Sequence, residues 1–141
     1  MSESAVHRSL VAALMEDIAK QPWEFEPFLY ADSNGVALPP LIGIARPDVY
    51  AHFSLQDRAI VGEAKTSLDL ESFHTAGQFE AYFEHLGAKA GGELWLAVPW
   101  LSAGAAFRIC TATKARMKSP VPFKVTAWLL GEQNFSRAWH G

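Results

Sequence analysis

Arg46-Pro47-Asp48-Val49-Tyr50-Ala51-His52-Phe53 and Ala59-Ile60-Val61-Gly62-Glu63-Ala64-Lys65 are the two stretches that decide the fold. Both are short runs rich in β-branched and aromatic residues, and the segment Ser54 to Arg58 joins them. The pattern predicts a hairpin of strands at 48–53 and 59–65. A turn centred on Leu55 and Gln56 sets Asp48 directly across from Glu63. Strand side chains alternate, so Lys65 emerges on the same face as the two acids. Val49, Ala51 and Phe53 share the opposite face with Ile60, Gly62 and Ala64, and that face is expected to be the buried one.

Two carboxylates placed opposite each other repel, which destabilises a strand pair unless something offsets the charge. A divalent cation held by both Asp48 and Glu63 does so, and an oxygen-only donor set favours Mg²⁺, with Mn²⁺ as substitute, over zinc. Lys65 beside such an ion can orient a water or help to deprotonate it. These parts together describe metal-assisted hydrolysis of a phosphodiester.

Outward from the hairpin, Val6, Leu10, Ala13, Leu14 and Ile18 recur at helical spacing after the capping candidates Ser2 and Ser4, until Gln21-Pro22 stops the run. The aromatics Trp23, Phe25, Phe28 and Tyr30 suggest a short strand, with a turn at Asn34-Gly35 and a break at Pro39-Pro40. Asp69 is placed to cap a second helix reaching about Leu86. A strand at 93–98, a third helix at 102–118 and a strand at 123–130 follow, and the tail after Gly131 carries no clear pattern. The order α, β, β, β, α, β, α, β predicts an α/β protein, a three-layer sandwich with a central mixed β-sheet flanked by helices. A chain of 141 residues, half of them apolar, fits one domain over 1–141.

Pro47-Asp48, then Glu63-Ala64-Lys65 after fourteen intervening residues, resembles the signature of the PD-(D/E)xK nuclease superfamily. The likeness extends to the order helix, strand, hairpin bearing the motif, helix and strand, which spans residues 4–98. Gln78-Phe79-Glu80-Ala81-Tyr82 also looks like the Gln-x-x-x-Tyr element of the RecB-like and λ-exonuclease-like branch. Gln78 and Tyr82 are one helical turn apart and share a stripe with Glu71, His74 and His85, while Ala76, Phe79, Phe83 and Leu86 form the apolar stripe. The resemblance implies a restriction-endonuclease-like fold and a Mg²⁺-dependent deoxyribonuclease of repair, recombination, defence or mobile-element processing. It casts Asp48, Glu63 and Lys65 as catalytic, Asp48 and Glu63 as metal ligands, and Gln78 and Tyr82 as substrate-positioning. A first-helix carboxylate is often added in this family, and Glu16 and Asp17 compete for that place.

Residues 1–88 hold 5 Lys/Arg against 13 Asp/Glu, whereas 89–141 hold 7 against 2. A basic C-terminal part could face a polyanion, and Lys89, Arg108, Lys114, Arg116, Lys118 and Lys124 are candidate phosphate contacts for DNA. A symmetric homodimer would supply one site per strand, and a partner subunit could supply specificity. The single Cys110 allows no internal disulfide, no run of 18 apolar residues occurs, and no basic leader precedes an apolar block; the expectation is a cytoplasmic protein without a membrane anchor. The five histidines lack zinc-site spacing, and both the Gly-x-Ser-x-Gly elbow and the Gly-Lys-Ser/Thr phosphate loop are missing. Two other function classes fit the same residues: a non-catalytic DNA-binding or protein-interaction module on the same fold, and a small acidic inhibitor that engages a basic partner through residues 1–88.

Overall fold

Two helical crossovers and a hairpin assemble one mixed sheet. The computed structural model describes residues 3–33, 35–70 and 72–141. Its elements are α1 (Glu3–Ala19), β1 (Phe28–Ala31), β2 (Val49–Phe53), β3 (Arg58–Ala64), α2 (Phe73–Gly87), β4 (Gly91–Pro99), α3 (Ala103–Met117), β5 (Phe123–Leu129) and β6 (Phe135–His140). The strands lie side by side in chain order. β3–β4 and β4–β5 are parallel, with α2 and α3 as their crossovers, and the other pairs are antiparallel. The predicted α/β architecture therefore forms. Ser2, Asn34 and Glu71 lie outside the described residues, as does the side chain of Ser4.

The hairpin takes the expected register, pairing Val49 with Gly62 and Tyr50 with Val61. Both of its faces are buried, not one. Val49, Ala51, Phe53, Ile60 and Ala64 pack under Leu10, Leu14 and Ile18 of α1. Tyr50, Ala59 and Val61 pack with Phe79, Tyr82 and Phe83 of α2 on the other side, where α3 adds Ala106 and Cys110. Burial on both faces is why Leu94 to Val98 in β4 reads as an unbroken apolar run.

Ser72, not Asp69, caps α2: its Oγ accepts from the Thr75 N–H at 3.1 Å. Asp69 is used one turn earlier, where its carboxylate accepts from Thr66 Oγ1 at 3.1 Å and its carbonyl accepts from Thr75 Oγ1. These bonds brace the connection from β3 to α2. At the C-terminus β6 pairs antiparallel with β5 as an exposed edge, an element the sequence pattern does not announce.

Candidate active site

Continuing the hairpin ladder one step beyond Val49 and Gly62 brings Asp48 against Glu63. Asp48 Oδ2 accepts from the Ala64 N–H at 2.9 Å, so the carboxylate is fastened to β3 itself. The Asp48 and Glu63 carboxyl groups are close enough that each shifts the other's pKa. Two residues beyond Glu63, Lys65 is also buried, with its backbone N–H donating to the Ala97 carbonyl of β4 at 3.0 Å. The three predicted residues are thus brought together at the C-terminal end of β3.

α2 closes over them. Tyr82 donates its hydroxyl hydrogen to Glu63 Oε1 at 2.8 Å, and Lys65 Nζ donates to Gln78 Oε1 at 2.5 Å. Gln78 and Tyr82 therefore reach the motif, as their shared stripe predicts. Tyr82 is 0% exposed, with its hydroxyl turned to Glu63. His85, one turn further along, is hydrogen-bonded to Tyr50 at 2.9 Å.

A residue that the sequence reading did not select completes the cluster: His7 Nε2 lies 3.2 Å from Asp48 Oδ2. His7, Val11, Leu14 and Ile18 recur at helical spacing, so a polar side chain heading that buried stripe was the signal available. Neither Glu16 nor Asp17 lines the cavity around Asp48, Glu63 and Lys65. Asp17 instead pairs with Lys124 at 2.9 Å, a contact buried under α1. His52 lies on the Asp48 face but lines a separate cleft with Tyr30, Tyr50 and Lys89.

Burial pushes the Glu63 carboxyl well above the usual carboxylate range, and the adjacent Asp48 charge adds to the shift. Burial works against the Asp48 charge too, but the hydrogen bonds from His7, Glu63 and the Ala64 N–H outweigh it and hold Asp48 below its ordinary value. The bond to Asp48 raises the His7 imidazole. Burial, with the Glu63 charge behind it, keeps the Tyr82 phenol protonated and a donor. The two carboxyls are thus driven apart, Glu63 toward its protonated form and Asp48 toward its charged one, with the His7 imidazole beside Asp48.

Among the described residues no three His, Cys, Asp or Glu side chains form a ready-made metal cage. The donors present nevertheless suit a hard divalent cation that retains several waters. Asp48 and Glu63 offer oxygen, and the pair carries more negative charge than the site tolerates without a proton or a cation. The cavity at the site measures about 270 Å³ and is lined by His7, Asp48, Glu63, Lys65, His74 and Gln78, among others.

No protein-family model, curated protein or solved structure matches the chain.

The predicted phosphate contacts are largely engaged within the chain. Lys124 is buried against Asp17 with its ammonium 3.3 Å from the Trp95 ring centroid, so it is removed from the candidate surface. Arg116 pairs with Glu80 at 2.7 Å and Lys89 with Asp57 at 3.8 Å, while Lys114 lies over the Phe123 ring. No helix among the described residues is long and apolar enough to cross a membrane.

Proposed function

We propose that the chain is a metal-dependent nuclease of the PD-(D/E)xK type, with a restriction-endonuclease-like arrangement of sheet and helices, which hydrolyses phosphodiester bonds of DNA. The observation that carries this reading is the double interlock of Tyr82 with Glu63 and Gln78 with Lys65, closed over the Asp48–Glu63 pair. A purely solvated pair of acids would need neither a buried tyrosine nor a helix-borne amide.

Asp48 and Glu63 are the residues that would hold Mg²⁺ or Mn²⁺. When bound, the ion polarises the phosphodiester and a water and offsets the charge that grows in the transition state. His7 keeps Asp48 in place from α1, and Tyr82 fixes the Glu63 carboxyl. An ammonium carries three donors and the bond to Gln78 takes one, so Lys65 can present the others to a phosphate oxygen or to the attacking water. In the balanced reaction the water oxygen bonds to phosphorus as the bond to one sugar oxygen breaks. The proton released from water ends, through the site or bulk solvent, on that leaving oxygen, yielding a hydroxyl end and a phosphate end.

Purified chain is to be incubated with supercoiled, linear duplex, branched and single-stranded DNA in Mg²⁺ and in Mn²⁺. Cutting that disappears in Asp48→Ala, Glu63→Ala and Lys65→Ala supports the reading; folded wild-type chain that leaves all four substrates intact overturns it. The internal pairing of Lys124 and Arg116 favours a second reading, a non-catalytic module on the same fold. Calorimetry separates the two, because a catalytic site binds Mn²⁺ saturably and loses it in Asp48→Asn, whereas a module binds a partner without the metal.

A further inference from the structure

Gly77 occupies the interior of α2, where glycine costs about 1 kcal/mol relative to alanine. No packing reason requires it, since a Cβ built there meets nothing within 4 Å. The open space in front of Gly77 is a cavity of about 490 Å³, walled by Ala76, Ala81 and Ala45 and rimmed by Ile44 and Phe73. Ile44 is 99% exposed and Phe73 98%, although large apolar side chains gain most from being covered. His74 and Gln78 line this cavity and the active-site cavity alike, so the two are neighbours. At its border Arg116 donates to Glu80 at 2.7 Å, placing a donor and an acceptor side by side.

We infer that this cavity receives one unpaired nucleobase of a DNA strand whose phosphate occupies the Asp48–Lys65 site, which makes single-stranded DNA the substrate class. The inference rests on the nuclease reading for the location of the phosphate. Phe73 offers a face on which a base stacks, Ile44 adds apolar surface to the rim, and the missing side chain at Gly77 leaves depth for the ring. Glu80 and Arg116 can meet the hydrogen-bonding edge of the base. In a duplex the base stays within its own stack and cannot enter, so an apolar pocket for a single base beside a phosphate site selects an unpaired strand.

The test is binding by the full chain without divalent metal, so that nothing is cut, using oligothymidylate, a duplex of the same length and an abasic deoxyribose-phosphate chain. Oligothymidylate is expected to bind about tenfold or more tightly than the abasic chain, the scale of one base stacked on an aromatic ring. Phe73→Ala should remove most of that difference, with little further loss when both changes are combined. Gly77→Leu should weaken oligothymidylate binding similarly while leaving the thermal midpoint unchanged or higher, because its side chain fills ligand space and not protein space. Equal binding of abasic and base-bearing chains, or indifference to both substitutions, overturns the inference. Cutting of single strands that survives Gly77→Leu at full kcat/KM overturns the base pocket and spares the hydrolase. Base-dependent binding in a chain that cuts nothing supports the pocket and removes the hydrolase.

Discussion

Tyr82 meets Glu63 one helical turn from the point where Gln78 meets Lys65, and the two bonds fit because helix and strand spacings agree. Four residues of helix advance about 6.0 Å and two of strand about 6.6 Å. A crossover helix running back along β3 can therefore match i and i+4 to i+2 and i, and α2 does so. Tyr82→Phe keeps the ring packing but removes the donor from Glu63, and should cost about 1 kcal/mol of stability in denaturant titration. Tyr82→Ala, which also empties the volume of a fully buried ring, should cost about 3–5 kcal/mol.

Glu63→Gln separates folding from metal binding. The amide can donate to Asp48 and accept from Tyr82, reproducing the protonated acid without the cost of ionising it in a buried place. Because the Glu63 pKa is raised, the wild type loses stability as pH rises through that value, and the variant does not. Its thermal midpoint should equal or exceed that of the wild type in alkaline buffer, while calorimetric Mn²⁺ binding disappears. A midpoint well below the wild type at every pH would contradict a raised Glu63 pKa in the folded chain.

The two histidines at the site and beside it should show opposite pH trends. His7 is raised above 6.5 by Asp48, so its contribution is complete below that value and is lost as pH rises through the raised one. His85 is lowered by burial and by Lys89, so its contribution is present above 6.5 and is lost as pH falls through the lowered value. Measured against pH, the stability gap between wild type and His7→Gln should shrink on the alkaline side. The gap for His85→Gln should shrink on the acid side.

Gly62 and Gly77 make a matched pair. A Cβ at Gly62 would stand 2.8 Å from Leu14 Cδ2 and 3.0 Å from Val49 Cβ, so α1 rests on β3 where only hydrogen fits. Gly62→Ala should destabilise by about 1–3 kcal/mol through overpacking. Gly77→Ala should stabilise by up to about 1 kcal/mol through helix propensity. Chemical denaturation of both variants reads the two signs.

The hairpin and its three site residues were legible because alternation and a short connection fix register, and register fixes which side chains share a face. Gln78 and Tyr82 were legible from helical spacing. His7 was not legible, because its contact with Asp48 spans 41 positions and no local spacing links the two. β6 escaped because Phe135 to His140 is almost wholly exposed and leaves no buried alternation to read. Asp69 and Ser72 both have capping side chains, and only the bonds that Asp69 makes to Thr66 and Thr75 decide between them. Charge counts misplace Lys124 for a similar reason, since a sequence shows that a cation exists and not whether an acid 107 positions away holds it.

Lys124 therefore provides a prediction that separates a structural cation from a phosphate contact. Its side chain and that of Asp17 are each 10% exposed, and Gln21 supplies Asp17 with one further bond at 3.2 Å. Lys124→Met leaves the buried Asp17 carboxylate with only the exposed Lys20 ammonium, 3.8 Å away, as its cation and should cost about 2–4 kcal/mol. Pairing it with Asp17→Leu removes both charges, and apolar replacement of a buried ion pair is often neutral, so the double variant should recover most of the loss. A phosphate contact would behave differently, with stability unchanged and the salt dependence of DNA binding reduced by about one charge. Unfolding midpoints of the three variants, set beside DNA affinity across a salt series for each that folds, decide between the two roles.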